Sequence, residues 1–205
     1  MTTTIGVFLY DNVEVLDFAG PFEVFGTASR LHARRIAGDQ PLFNVLPIAE
    51  LRGNIQASGR LTLHVLYNID DHPPLEVLII PGGIHTPQLA RRIVIRWIAA
   101  TAAKTTLVAS VCTGAFLLAQ AGLLNGKSAT THWEDIPAMR ERFPEVNVLE
   151  GQRWVDCGNV VTSAGISAGI DMCLHLVERL EGRELALLTA RQMEWQWDQS
   201  GTTIA

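Results

Sequence analysis

The sequence of 205 residues has few cysteines, few charged residues and no long apolar run. Its three cysteines are Cys112, Cys157 and Cys173, and no two of them form a CxxC pair. This odd, scattered set argues against a disulfide framework or a metal site, so we expect a reducing, cytoplasmic location. Charged residues make up 18% of the chain, with 16 Lys and Arg against 21 Asp and Glu. Since no basic run stands out, we expect no nucleic-acid partner.

The start of the chain lacks the basic leader and apolar segment of a secretory signal, and residues 4–9 predict a short strand instead. No apolar run reaches the length of a transmembrane helix, so we expect no membrane partner. Hydrophobic residues make up 48% of the sequence, which is typical of a well-packed globular protein. The length predicts a single domain over residues 1–198, followed by a loose C-terminal tail at 199–205.

Short apolar runs alternate with helical segments along the chain. The runs predict buried strands at residues 5–9, 43–48, 77–80, 106–111 and 160–163. Helices are predicted between them, including one from Pro21 to about Ala37, with the proline in its first turn, and one at residues 88–104. This alternation predicts an α/β fold with a mostly parallel sheet and helices on both faces.

Cys112 stands between a predicted strand and a predicted helix, in the segment Val111-Cys112-Thr113-Gly114. A side chain at such a turn is expected at the carboxyl edge of the sheet, where open α/β folds bind ligands. The N-terminus of the following helix is expected to lower the thiol pKa and make Cys112 nucleophilic. A buried structural cysteine is the alternative, and it suits Cys157 and Cys173 better.

Two further segments are candidates for the same pocket. Asp17 comes just before the helix predicted at Pro21, and a helix cap is the simpler interpretation of an isolated acid there. It could instead exchange a proton with the thiol, with Glu14 and Glu23 as rival acids. The strand at 77–80 ends in Pro-Gly-Gly, and Gly82 and Gly83 could expose backbone N–H groups to a developing negative charge.

His132 is the natural candidate for a base near Cys112, because it stands at the end of a predicted strand. A histidine that caps or packs beside Trp133 fits the sequence slightly better, and His85 is a second possibility. Trp195 and Trp197, near the C-terminus, are expected to cover surface or to form a dimer contact.

Five segments together give the chain a specific resemblance. They are LDFAGP at 16–21, IPGG at 80–83, SVCTG at 110–114, ATTHW at 129–133 and TSAGISAGID at 162–171. In this order they resemble the DJ-1/PfpI superfamily of class I glutamine-amidotransferase-like proteins, from Ile5 to about Trp195. The resemblance implies a flavodoxin-like sandwich with Cys112 at a nucleophile elbow, and a homodimer.

Within the superfamily the chain resembles isocyanide hydratase and its relatives. These hydro-lyases add water to an isocyanide, a small molecule, and give an N-substituted formamide. They have aspartate at the position of Asp17 and threonine at that of Thr113. The resemblance therefore implies catalytic roles for Cys112, Asp17 and Thr113, a pocket lined by Gly83 and Ile166, and no metal or organic cofactor.

Other branches of the superfamily imply other functions. Protease-like members place histidine after the cysteine, so Thr113 argues against a peptidase. Glyoxalase- and deglycase-like members use glutamate where this chain has Asp17, and they remain an alternative. AraC-type regulators share the phrase DFAGPFEVF at 17–25 and continue into a helix-turn-helix domain. Because the sequence stops at Ala205, the regulator interpretation requires that it be a fragment. A non-catalytic sensor that oxidises Cys112 or binds a small electrophile is the last alternative.

Overall fold

A computed structural model describes residues 2–36 and 40–204 of the chain. The strands in these residues are β1 (Thr3–Leu9), β2 (Phe43–Ala49), β3 (Gly53–Gln56), β4 (Thr62–Val65), β5 (Tyr67–Asn68), β6 (Val77–Ile80), β7 (Leu107–Ser110), β8 (Ser128–Ala129), β9 (Asn147–Val148), β10 (Trp154–Asp156), β11 (Val160–Ser163) and β12 (Thr202–Thr203). The α-helices are α1 (Val15–Ile36), α2 (Thr86–Leu89), α3 (Arg92–Ala102), α4 (Gly114–Gln120), α5 (Ile136–Arg142), α6 (Ala168–Glu181) and α7 (Arg183–Gln192). Short 3₁₀ helices cover Ser58–Arg60 and Trp133–Asp135.

Eight of these strands form the central sheet, in the order β12-β10-β11-β7-β6-β1-β2-β5. Every neighbouring pair is parallel except β10 and β11. The sheet thus confirms the mostly parallel α/β fold predicted from the sequence. All residues of β6 and β7 are buried, because central parallel strands are covered on both faces, and this explains their uninterrupted apolar sequences.

Two groups of helices cover the sheet. α1, α6 and α7 pack against one another, and α2, α3 and α4 form the second group. The connection from β1 to β2 and the connection from β6 to β7 run in opposite directions along the sheet, so right-handed crossovers place their helices on opposite faces. The direction of strand order therefore changes between β1 and β6. The crevice at the carboxyl ends of strands at such a point is where open α/β sheets bind ligands.

Two helices differ from their predicted bounds. α1 begins at Val15, so Pro21 lies inside the helix and Asp17 lies in its first turn. Proline lacks the N–H that would bond the Asp17 carbonyl, which is why the sequence favoured a start at Pro21. The predicted end at Ala37 lies outside the described residues. The helix predicted at 88–104 is divided into α2 and α3, because Arg91 between them adopts a non-helical ψ of 88°.

The segment at 199–205, for which the sequence predicts a loose tail, contains a short strand. Thr202–Thr203 form β12, which extends the central sheet by pairing with β10. The N–H of Ile204 donates to the Asp156 carbonyl at 2.7 Å. These bonds satisfy main-chain groups of β10 that would otherwise face water at the sheet edge.

A buried carboxylate holds the segment that leads to β12. Asp171 on α6 is fully buried, and its Oδ2 accepts a hydrogen bond from Arg153 Nε at 2.9 Å. Its Oδ1 accepts from Trp195 Nε1 at 2.7 Å and from the N–H of Asp198 at 3.0 Å. Trp197 Nε1 donates to the Asp171 carbonyl at 3.1 Å. Both tryptophans therefore anchor the C-terminal segment. Across residues 2–36 and 40–204, no helix combines the length and the apolar character needed to cross a bilayer.

Candidate active site

Cys112 lies in the sharp turn between β7 and α4, with a φ of 56°. Side chains other than glycine rarely adopt this left-handed backbone, which costs on the order of 1 kcal/mol or more. The turn also requires Gly114, because a Cβ there would overlap the Ile80 carbonyl. Neighbouring segments hold the cysteine backbone: its N–H donates to the Ala164 carbonyl at 3.2 Å, and Thr131 Oγ1 donates to its carbonyl at 2.9 Å.

Asp17 reaches the cysteine from the first turn of α1. The N–H of Gly82 donates to Oδ2 of this fully buried carboxyl at 3.0 Å. Oδ1 is buried too, and among the described residues it has no hydrogen-bond partner of ordinary geometry. The Cys112 thiol is close enough to the carboxyl to lower its pKa. The structure therefore brings Asp17 and Cys112 together, whereas Glu23 pairs with Arg30 on the surface.

Burial controls the acidity of Asp17. Removal from water raises the pKa of this carboxyl from 3.8 to about 7. The N–H of Gly82 opposes that rise, the negative charge of Glu14 adds to it, and the Cys112 thiol lowers it slightly. Asp17 can therefore accept and release a proton near neutral pH, as an acid–base catalyst must.

The thiol of Cys112 is a much weaker acid than the sequence suggested. Burial, followed by the charge of Asp17, raises the pKa of Cys112 to about 12. The N–H groups of Thr113 and Ile166 lower it by less than these effects raise it. The prediction of a lowered thiol pKa was therefore wrong. At neutral pH the thiol keeps its proton, and Asp17 is the more acidic member of the pair.

The first turn of α4 offers the sulfur few free N–H groups besides that of Thr113. Its N–H groups are already engaged: that of Gly114 donates to the Val111 carbonyl at 3.0 Å, and that of Phe116 to the Thr113 carbonyl at 3.1 Å. The sulfur therefore faces few of the unpaired N–H groups that make a helix N-terminus favourable for an anion.

Gly82 and Gly83 position side chains and leave no free N–H group for an oxyanion. The N–H of Gly83 donates to Thr113 Oγ1 at 3.0 Å, and this hydroxyl lies 3.0 Å from the Gly83 carbonyl, to which it donates. The N–H of Gly82 is engaged by Asp17. A Cβ at Gly82 would lie 2.6 Å from Thr113 N and 2.8 Å from Asp17 Oδ2, so only glycine fits there. The N–H groups of Thr113 and Ile166, in contrast, face the Cys112 sulfur.

A cavity of about 470 Å³ opens above Cys112. The turn of the β3–β4 hairpin, the 3₁₀ helix at Trp133–Asp135 and the turn after β11 contribute to its walls. Ile166 stands in the last of these turns with a φ of 51° and lines the cavity. Along residues 2–36 and 40–204, no group of three or more His, Cys, Asp or Glu side chains could hold a metal ion.

His132 lines the same cavity, and its polar contacts are structural. Its Nδ1 accepts a hydrogen bond from the N–H of Glu134 at 3.4 Å, as a helix cap does, and lies 3.5 Å from Asp135 Oδ2. Its ring packs against Gly165, where a Cβ would overlap it. These contacts agree with the capping interpretation. His85, the second candidate, is absent from the cavity wall.

Comparison with known proteins identifies the family. Residues 3–179 match the DJ-1/PfpI family. The chain belongs to this family. Isonitrile hydratase of Pseudomonas putida is 33% identical over 197 residues, which are 95% of this chain and 79% of that protein. The structure of a ThiJ/PfpI family protein from Pseudomonas syringae has a TM-score of 0.83 at 26% identity, with 97% of this chain and 77% of that chain covered.

Transcription regulators are equally similar in sequence to this DJ-1/PfpI chain. The HTH-type transcriptional regulator GbdR of Pseudomonas aeruginosa is 33% identical over 184 residues, which are 89% of this chain. The match spans 48% of the regulator, so this chain corresponds to about half of that protein. Sequence identity therefore establishes the family and does not separate an enzyme from a sensor domain.

Tyr10 is a member of this DJ-1/PfpI site that the sequence motifs did not reveal. It is buried directly after β1, and its hydroxyl donates to the Pro81 carbonyl at 3.2 Å. Burial, followed by the charges of Asp17 and Cys112, raises its pKa well above 10.0. The phenol therefore stays protonated and braces the turn that carries Gly82. Its place at the carboxyl end of a central strand is the only signal in the sequence that could have indicated it.

Proposed function

We propose that this protein is an isocyanide hydratase, which adds water to an isocyanide to give an N-substituted formamide. One observation carries the proposal: a buried aspartate with a pKa of about 7 and an unpartnered Oδ1 lies beside a buried, protonated cysteine. The pair suits an addition that needs a nucleophile and a movable proton at one carbon atom. The similarity to isonitrile hydratase supports it.

In the first step, the Cys112 sulfur attacks the terminal carbon of the isocyanide as the Asp17 carboxylate takes the thiol proton. Asp17 then passes this proton to the same carbon. A C–S bond and a C–H bond form, one carbon–nitrogen bond order is lost, and the product is a thioformimidate on Cys112. The N–H groups of Thr113 and Ile166 stabilise the negative charge that develops on the sulfur as its proton leaves.

In the second step, water adds to the thioformimidate carbon. Asp17 takes a proton from the water and delivers it to the nitrogen. Asp17 then removes the remaining hydroxyl proton as the C=O bond forms and the C–S bond breaks. The departing sulfur receives that proton, which restores the thiol and the carboxylate. The sum of the steps is isocyanide plus water to formamide, with no oxidant or reductant.

The experiment supplies an aliphatic and an aromatic isocyanide to the purified protein and follows formamide formation. We expect turnover by the wild type and a loss of about a thousandfold or more in Cys112→Ala. Cys157→Ser is the matched control, because Cys157 donates to the Ser128 carbonyl and does not line the cavity. In D₂O the formyl carbon should acquire deuterium. Absence of turnover by the wild type, or full turnover by Cys112→Ala, refutes the proposal.

A small-molecule sensor is the second candidate function. The 33% identity shared with the regulator GbdR favours it. Peroxide titration followed by mass spectrometry separates the two functions. Selective oxidation of Cys112 without turnover of any isocyanide would favour the sensor. Methylglyoxal in the same assay tests the glyoxalase alternative.

A further inference from the structure

We propose that the cavity above Cys112 selects its ligands by charge: it accepts neutral and cationic groups and rejects carboxylates. The selecting residues are Glu14, Glu134 and Asp135. The inference deepens the proposed function, because it specifies the group attached to the isocyanide nitrogen. The charge preference itself belongs to the cavity, so it can be measured without turnover.

The cavity wall carries these three carboxylates, and no lysine or arginine lines it in the part of the chain that the structure describes. Glu14 accepts hydrogen bonds only from neutral donors, Ser58 Oγ and the N–H of Val15, both at 3.1 Å. Glu134 and Asp135 face His132 Nδ1 at 3.9 and 3.5 Å. Along residues 2–36 and 40–204, none of the three forms an ion pair with a lysine or an arginine.

The carboxylates of the cavity wall influence both members of the reactive pair, Asp17 and Cys112. Glu14, at the start of α1, contributes to the raised pKa of Asp17. Asp135, on the 3₁₀ helix after β8, contributes to the raised pKa of Cys112. A second anion in the cavity would meet both of these groups at once. A cation there would be attracted by both.

Two apolar side chains in the cavity wall add to its ligand specificity. Ile84 and Ile166 line the cavity and are 60% and 39% exposed, which leaves them free to contact a ligand. The reacting end of an isocyanide carries no net charge, so the wall acts on the remainder of the molecule. The favoured substrate class is an aliphatic or aromatic isocyanide that carries no negative charge, with an amine-bearing one preferred.

The first test labels Cys112 with two methanethiosulfonates of similar size, one with a quaternary ammonium and one with a sulfonate. It uses the Cys157→Ser chain, and each rate is divided by the rate with a small free thiol. We expect the cationic reagent to be favoured roughly tenfold at low ionic strength, with the ratio falling as salt is added. A normalised ratio of one, or a preference for the sulfonate, overturns the proposal.

Substitutions in the cavity wall test whether its carboxylates cause the preference for the cationic reagent. Glu134→Gln combined with Asp135→Asn should reduce the ratio several-fold, because two of the three negative charges are removed. Asp70→Asn is the matched control. Asp70 is exposed on the loop that leads to the amino end of β6, away from the cavity, so its loss should leave the ratio unchanged. An unchanged ratio in the double variant contradicts the assignment.

The second test compares kcat/KM for three isocyanides of similar length that carry a dimethylamino, a methyl or a carboxylate end group. We expect the order amine, alkyl, carboxylate. If no isocyanide reacts but the labelling ratio persists, the hydratase proposal fails and charge selection stands. If all three react equally and the labelling ratio is one, charge selection fails and the hydratase proposal stands.

Discussion

Asp17 occupies a position where ionisation is costly, since its carboxyl is fully buried and only one of its oxygens accepts an N–H. The same side chain can stabilise the fold in one pH range and destabilise it in another. Its pKa is raised from 3.8 to about 7, so the folded protein holds this proton more tightly than the unfolded chain does.

The stability that this proton contributes is complete below about pH 4 and is lost as the pH rises through about 7. Asp17→Asn keeps the shape of the side chain and cannot ionise. The free energy of unfolding of the wild type minus that of the variant should therefore fall by up to about 4 kcal/mol between about pH 4 and pH 8. Urea titrations of both proteins at several pH values measure it. A constant difference across that range would contradict the burial of this carboxyl.

Thr113 gives a second prediction at the scale of one residue. Its hydroxyl bonds both the N–H and the carbonyl of Gly83. Thr113→Val keeps the volume and leaves the Gly83 N–H without its partner, whereas the Gly83 carbonyl still accepts from the N–H of His85, so the free energy of unfolding should fall by about 1 kcal/mol. Thr113→Ser keeps the hydroxyl and should lose less. Chemical denaturation of the three proteins compares them, and equal losses would show that the hydroxyl bonds contribute little.

The motifs located Cys112, Asp17 and Thr113 because each follows directly on a strand or opens a helix. The pKa values of Asp17 and Cys112 could not be predicted from the sequence, because they depend on burial by segments that are distant in the chain. The partner of Asp17, Gly82, is 65 residues away, and Thr113 is 30 residues from Gly83. A local pattern shows that Pro-Gly-Gly makes a turn and does not show which side chains use its N–H groups.

At the scale of elements, periodicity predicted the central strands well, since uninterrupted apolar runs mark buried parallel strands. Periodicity failed to predict structure where a tertiary contact overrides the local preference of the sequence. Pro21 is tolerated within α1, where the sequence rule placed it in the first turn. Likewise, β12 is too short and polar to be recognised, and it exists only through its pairing with β10.

The glycines of α1 give a prediction about this element. A Cβ at Gly26 would have Arg30 Nη1 as its nearest neighbour, at an ordinary 3.5 Å, whereas a Cβ at Gly20 would lie 3.0 Å from Ile170 Cγ1 on α6. Gly26→Ala should raise the free energy of unfolding by about 0.5–1 kcal/mol, because alanine is the better helix former.

Gly20→Ala is the matched comparison in the same helix. Its gain in helix propensity is offset by the displacement of Ile170, so it should stabilise less than Gly26→Ala or destabilise. Thermal unfolding of both variants measures which substitution stabilises the protein more. A larger gain at Gly20 would mean that α1 and α6 pack less tightly than described.

For the whole molecule, the buried Asp171 ties the C-terminal segment to α6. Trp195→Phe removes one hydrogen-bond donor from this carboxylate and should cost about 1–3 kcal/mol. Trp197→Phe removes a bond to a main-chain carbonyl and should cost less. Urea denaturation compares the two, and limited proteolysis near residue 198 should accelerate in Trp195→Phe. Equal effects of both changes would argue against the anchoring role.

The assembly state also belongs to this scale. The homodimer implied by the family resemblance stays a prediction, as does the cytoplasmic location. Sedimentation equilibrium of the purified chain checks the dimer, with the mass of two chains as the expected result. A mass of one chain at micromolar concentration would contradict it.

The close packing of Thr113 and Asp17 around Gly82 has an evolutionary consequence. The space that a Cβ would occupy there is shared by the main chain of Thr113 and the carboxyl of Asp17, so these three positions cannot drift independently. Most single replacements in this trio need a compensating second change, and the floor of the pocket is therefore an epistatic unit. The wall residue Glu134 has an exposed side chain and shares no such packing. New specificities can thus arise by single steps at the wall, while the reactive chemistry beneath it persists.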